Sequence, residues 1–186
     1  AAAAAAAAFP GIGQEHALAS WSKKRKRPDV ELDEQTLNKC TFTPSGNIPK
    51  ALVVEDSKST CLLFAKVIAG LGWQTVSAQD GACALQLLAS EVYDLVLLDV
   101  QLPLLSGNDV VQKFREWETA HRPGCRTAVV MMSGDETAVE VDSAMFEHFI
   151  PKPVATTTVT QLCEELGNFR DHKVMVQRVA GIDEKH

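Results

Sequence analysis

Aromatic side chains are scarce, with one tyrosine, three tryptophans and seven phenylalanines in 186 residues. Apolar runs are short as well: none approaches the ~20 residues of a membrane-spanning helix. No charged start followed by an apolar stretch and a cleavage site marks a secretory signal. Membrane insertion is therefore not expected. The five cysteines, Cys40, Cys61, Cys83, Cys125 and Cys163, form no C-x-x-C pair, and the five histidines keep no metal-finger spacing. Both facts argue against a disulfide framework and structural zinc, and favour a reducing, cytoplasmic setting. No G-x-x-x-x-G-K-[ST] loop is present, which excludes a P-loop nucleotide triphosphatase. Gly11-Ile12-Gly13 follows no strand and so makes no dinucleotide fingerprint.

Positive charge is short everywhere but in one place. Five of the 18 cations fall in Lys23 to Arg27, leaving 13 against 24 carboxylates in the rest of the chain. An acidic body is a poor fit for direct nucleic-acid binding. Residues 1–48 open with eight alanines and then carry Gly11, Gly13, the basic run and Pro28 without a sustained period, which reads as a flexible, low-complexity extension. Its basic run is a candidate nuclear-localisation signal and equally a solubilising tail.

From Pro49 the pattern changes to short apolar runs alternating with helical spacing. Ala51 to Val54, Thr75 to Ala78, Leu95 to Leu98, Thr127 to Met132 and His148 to Ile150 are strand candidates. The runs without polar alternation are those of a parallel strand buried on both faces. Between them, Ser57 to Gly70 places apolar residues at the i, i+3/i+4, i+7 spacing of a helix with one buried stripe. Asp80 supplies an N-cap for a second helix, and Val110, Phe114 and Trp117 mark a third. A helix-like stretch covers Glu136 to about Glu147, a last helix covers Thr156 to Phe169, and residues 170–186 read as a polar tail. Strict alternation of five strands and helices over residues 49–169 predicts an α/β fold. It is a doubly wound five-stranded parallel sheet with helices on both faces.

Ligand sites in such sheets lie at the carboxyl ends of the strands. That rule selects Glu55, Asp56, Asp99, Ser133 and Lys152. Three converging carboxylates repel one another, and a divalent cation relieves the repulsion. Mg2+ suits a few carboxylate oxygens, retained waters and phosphate. Lys152 and the Ser133 hydroxyl add the charge and the donor that hold phosphoryl oxygens. The set points to an aspartyl phosphate, with Asp99 as nucleophile and Glu55 and Asp56 as metal ligands. Taken singly, each residue has a plain explanation as a solvated turn or an exposed charge; together they do not.

These residues and their neighbours resemble the receiver domain of two-component response regulators. The motifs are Val53-Val54-Glu55-Asp56-Ser57, Leu97-Leu98-Asp99-Val100-Gln101-Leu102-Pro103 with Gly107, Met132-Ser133-Gly134, and Phe149-Ile150-Pro151-Lys152-Pro153. The resemblance implies a flavodoxin-like receiver fold and phosphorylation of Asp99 from a histidine kinase or histidine phosphotransfer protein. It implies Mg2+ held by Glu55, Asp56, Asp99 and the backbone carbonyl of Gln101. It further implies a conformational switch of Ser133 with Phe149, and rate tuning of phosphoryl loss by Gln101 and Asp135. Such a domain turns over only its own phosphoryl group and signals through protein contacts.

Three features depart from the family pattern. The interval from Ser133 to Lys152 is short, Glu147-His148 replaces a pair of small residues, and Pro151 directly precedes Lys152. They imply a fourth helix that is short or displaced. About 17 residues after the last helix are too few for an output domain, so the downstream partner is expected in trans. Two alternatives accompany this reading: a receiver-fold scaffold not regulated by phosphorylation, and a receiver piece of a hybrid histidine kinase.

Overall fold

The structure, a computed structural model, describes residues 48–180. The extension up to residue 47 lies outside them, as does its basic run, and the nuclear reading gains no support. The chain runs β1 (Lys50–Val54), α1 (Lys58–Gly70), β2 (Gln74–Ala78), α2 (Gly81–Ser90), β3 (Leu95–Asp99), α3 (Gly107–His121), β4 (Ala128–Ser133), β5 (His148–Pro151) and α4 (Thr156–Ala180). All strand pairs are parallel, in the order β2-β1-β3-β4-β5. The doubly wound five-stranded sheet is thus as the sequence pattern predicts.

Alternation along the strands divides the core in two. Ala51, Val53, Leu95, Leu97, Val130 and Ile150 face one layer with Phe64 and Ile68 of α1 and Leu162 and Leu166 of α4. Leu52, Val54, Val96, Leu98 and Met131 face the other, against Leu85 and Leu88 of α2 and Val110 and Phe114 of α3. Each fully buried Leu, Val or Ile contributes roughly 1.5–3 kcal/mol, so the central strands are fixed by burial on both faces. Local capping sets where the helices begin. Ser57 accepts from the Thr60 N–H, Asp80 from the Cys83 N–H at 2.7 Å, and Ser106 from the Asp109 N–H at 3.2 Å. After α1, Gly72 takes φ 86°, the left-handed conformation that ends a helix most cheaply.

Two expectations are corrected. No α-helix forms over Glu136 to Glu147; the stretch holds only two single 3₁₀ turns, Glu136–Ala138 and Ser143–Met145. The final helix, by contrast, continues through Gly167 to Ala180, so the segment expected as a tail from residue 170 begins as helix. Nothing lies within 4 Å of where a Gly167 side chain would be. The glycine costs the helix only about 1 kcal/mol relative to alanine.

Where the fourth helix was expected, buried charges hold the chain instead. Arg115, buried on α3, donates to Glu118 Oε2 at 2.6 Å, to Glu147 Oε2 at 2.8 Å, to the Thr127 carbonyl at 3.0 Å and to the Met145 carbonyl at 2.8 Å. Glu147 also accepts from Arg126 Nε at 2.8 Å and from the Val129 N–H at 2.6 Å. Arg126 further donates to the Ala144 carbonyl. A helix over this stretch would leave the Ala144 and Met145 carbonyls among its last four, without intrahelical partners. Here two guanidinium groups take them, and Val141 and Phe146 fill the second core layer in its place.

Candidate functional site

The crossover in strand order falls between β1 and β3, and the crevice beyond their carboxyl ends is where this topology binds ligands. Glu55 follows β1 directly, with its N–H donating to the Ala78 carbonyl at 3.1 Å. Asp99 is the last residue of β3. Both are buried, while Asp56 is exposed at the mouth. Carboxylate oxygens of the three lie within 4.8 Å of one another, a group able to hold a metal ion.

Lys152 reaches this cluster from the far side of the sheet. Its Nζ donates to Asp99 Oδ2 at 2.7 Å and to Glu55 Oε2 at 2.8 Å. Its backbone N–H is held by the Ser133 carbonyl at 2.8 Å. Pro151, paired with Ser133 at the end of the edge strand, has no N–H of its own to give that carbonyl. Burial pushes the Glu55 carboxyl above its ordinary range; the Lys152 hydrogen bond opposes this and the Asp99 charge adds to it. For Lys152, burial works against the charged form, but hydrogen bonds and charge from Asp99 and Glu55 outweigh it. Its pKa is raised. A buried carboxylate pair is thus kept together by one shared ammonium.

The other sequence-derived residues surround this centre. Ser133 is buried at the end of β4, and its hydroxyl donates to the Asp135 carbonyl at 2.8 Å. The Gln101 N–H donates to Asp99 Oδ1 at 3.1 Å, which holds the carboxylate from the loop side. Asp135 is exposed, and hydrogen bonds from the Thr137 side chain and backbone hold its carboxyl below the usual range. Phe149 lies on β5 with 8% exposure, its ring already packed in the second core layer.

Sequence reading places Gly107 with the Asp99 motif but gives it no role, and it misses Asn108. A Cβ on Gly107 would stand 2.2 Å from the Asp99 carbonyl oxygen, so the start of α3 presses directly on the site. Its position after the Pro103 loop was the available signal. Asn108, next in the chain, hydrogen bonds to the loop beyond β4, and no motif announces it.

Chemically, the arrangement offers hard carboxylate oxygens open to water on the Asp56 side, with a fixed cation behind them. That donor set fits a small divalent ion that keeps part of its hydration shell, and Mg2+ above softer metals. No helix among the described residues is long and apolar enough to cross a membrane.

Comparison with known proteins agrees with the geometry. A profile of the response regulator receiver domain matches residues 51–164. The sensor histidine kinase GacS of Pseudomonas protegens is 26% identical over 142 residues, covering 75% of this chain and 15% of the kinase. The polar-differentiation response regulator DivK of Brucella anthropi is 32% identical over 110 residues, 58% of this chain and 88% of DivK. The chain therefore spans under a sixth of the sensor kinase but most of DivK. Among solved structures, the response regulator TrrA of Thermotoga maritima, in complex with Mg2+ and BeF, superposes with a TM-score of 0.55 at 21% identity. It covers 64% of this chain and 99% of TrrA.

Proposed function

The chain belongs to the response regulator receiver domain family, and from that premise we propose that Asp99 is its phosphoacceptor. The phosphoryl group comes from a phosphohistidine on a histidine kinase or phosphotransfer protein. An Asp99 carboxylate oxygen forms the new bond to phosphorus while the bond from phosphorus to the donor imidazole nitrogen breaks, giving an acyl phosphate. Mg2+, held by Glu55, Asp56, Asp99 and the Gln101 backbone carbonyl, would supply charge neutralisation for the phosphoryl oxygens. Lys152 holds the remaining charge: it already donates to Asp99, and the incoming oxygens offer it stronger acceptors. Ser133 contributes a hydroxyl donor once it leaves the Asp135 carbonyl. Gln101 and Asp135 flank the path of hydrolytic water and tune the phosphoryl lifetime, and the downstream partner is a protein.

The observation that carries this reading is the Lys152 ammonium bridging buried Asp99 and Glu55. A surface turn has no reason to desolvate two carboxylates and a lysine together. The test is incubation with acetyl phosphate and Mg2+, followed by intact mass. Wild type should gain one phosphoryl group and Asp99→Asn none; an Asp99→Asn chain that still gains it refutes the assignment. One observation favours a second reading, a docking subunit indifferent to phosphorylation: the connection from β4 to β5 lacks a helix. Absence of labelling in the wild type would select that reading.

A further inference from the structure

We propose that Asn108 is a positioning residue that latches the loop after β4, holding Ser133 in its resting arrangement and setting how tightly a phosphoryl group is received. The inference rests on the phosphoacceptor reading above. Asn108 stands beside Gly107, where α3 meets the Asp99 carbonyl. Its Nδ2 donates to the Ala138 carbonyl at 2.7 Å, and its Oδ1 accepts from the Glu140 N–H at 3.2 Å. A helix would have satisfied those backbone groups internally. With only a 3₁₀ turn there, one carboxamide does so from across the site.

From Ala138 the bonds continue to the switch residue. The Ala138 N–H donates to the Asp135 carbonyl at 3.1 Å, and that same carbonyl accepts the Ser133 hydroxyl at 2.8 Å. The Asp135 carboxylate stiffens the turn by accepting from the Thr137 N–H at 2.8 Å and the Thr137 hydroxyl at 2.6 Å. Ser133 has a single hydroxyl proton, which goes either to the Asp135 carbonyl or to a phosphoryl oxygen. That choice is the two-state element, and whatever fixes the Asp135 carbonyl in place favours the resting state. Asn108 fixes it through Ala138.

The test titrates the full chain with Mg2+ alone and then with beryllofluoride in the presence of Mg2+, by calorimetry. Asn108 touches none of the three clustered carboxylates, so Asn108→Ala should leave the affinity for Mg2+ unchanged. Beryllofluoride should bind it about fivefold more tightly, the equivalent of one net hydrogen bond of ~1 kcal/mol no longer opposing the switch. Asn108→Asp keeps the acceptor for Glu140 but sets a carboxylate oxygen against the Ala138 carbonyl, so it should tighten binding as well. In hydrogen exchange the Glu140 amide should lose protection in Asn108→Ala and keep it in Asn108→Asp. A purely structural residue would lower the melting temperature of both variants without changing their beryllofluoride affinity relative to Mg2+. That result, or weaker beryllofluoride binding, overturns the latch, and Asn108→Asp decides alone if Asn108→Ala fails to fold. A wild type that binds no beryllofluoride defeats the phosphoacceptor reading itself.

Discussion

Replacing Glu147 with alanine removes the carboxylate on which the loop between β4 and β5 converges. Its side chain is 4% exposed and accepts from Arg115, Arg126 and the Val129 N–H. After truncation Arg115, 7% exposed, keeps Glu118 but loses its second carboxylate, and the Val129 N–H is left without that acceptor. Breaking a buried ion pair from one side costs about 3–5 kcal/mol, because the remaining charge stays desolvated. Glu147→Gln retains one acceptor oxygen and the shape, so its cost should fall to roughly 1–2 kcal/mol, the charge-assisted part of those hydrogen bonds. Arg126→Ala, at the more exposed end, should cost ~1 kcal/mol or less. Urea unfolding gives these differences directly, and near the melting point each kcal/mol corresponds to roughly 2–4 °C for a domain of this size. Because the pairs are buried, the order should persist in 1 M salt, where the Debye length is about 3 Å. Equal losses for Glu147→Ala and Glu147→Gln, or a Glu147→Ala loss below ~1 kcal/mol, would refute the account of what holds this stretch in place.

The carboxylate cluster carries a pH prediction. Because the folded Glu55 carboxyl lies above its ordinary 4.5, its contribution to stability is full below that value and is lost as pH rises through the folded pKa. Wild type should therefore lose stability from about pH 4.5 upward, and Glu55→Gln should flatten that fall; parallel curves in urea unfolding would contradict it. Converting both Glu55 and Asp56 to amides relieves repulsion, so stability should hold or rise while Mg2+ affinity collapses, and titration calorimetry that finds undiminished binding would remove them as ligands. Gly107→Ala places a methyl group 2.2 Å from the Asp99 carbonyl oxygen; overpacking of this kind costs about 1–3 kcal/mol. It should also slow acetyl phosphate labelling, and a variant with wild-type stability and labelling rate would show that α3 does not press on the site.

The strands and their order were legible because burial on both faces leaves little choice of residue. Leu95 to Leu98 and Ala51 to Val54 admit no polar alternation, and each is fully buried. Glu55 and Asp99 were legible for a topological reason: a charge directly after such a run can only stand at the sheet's edge. The stretch from Glu136 to Glu147 misled because Ala138, Val141 and Met145 recur at helical spacing and do turn toward the core. What holds the stretch is Arg115 and Arg126, which take the Met145 and Ala144 carbonyls and pair with Glu147, and neither lies within it in sequence. Asn108 was hidden for the same reason, since its partners lie about thirty residues away and are backbone atoms that carry no sequence signature.

The Lys152 bridge ties residues 97 and 53 positions apart to one ammonium group. Closing so long a loop comes late in folding, since chain entropy opposes it until the strands between are paired. A nascent or truncated chain ending before β5 contains Asp99 and its whole motif, yet lacks the cation that neutralises the pocket. On the phosphoacceptor reading, the site would be complete only on chains in which β1, β3 and β5 have come together, and half-made copies would draw no phosphoryl groups from a donor.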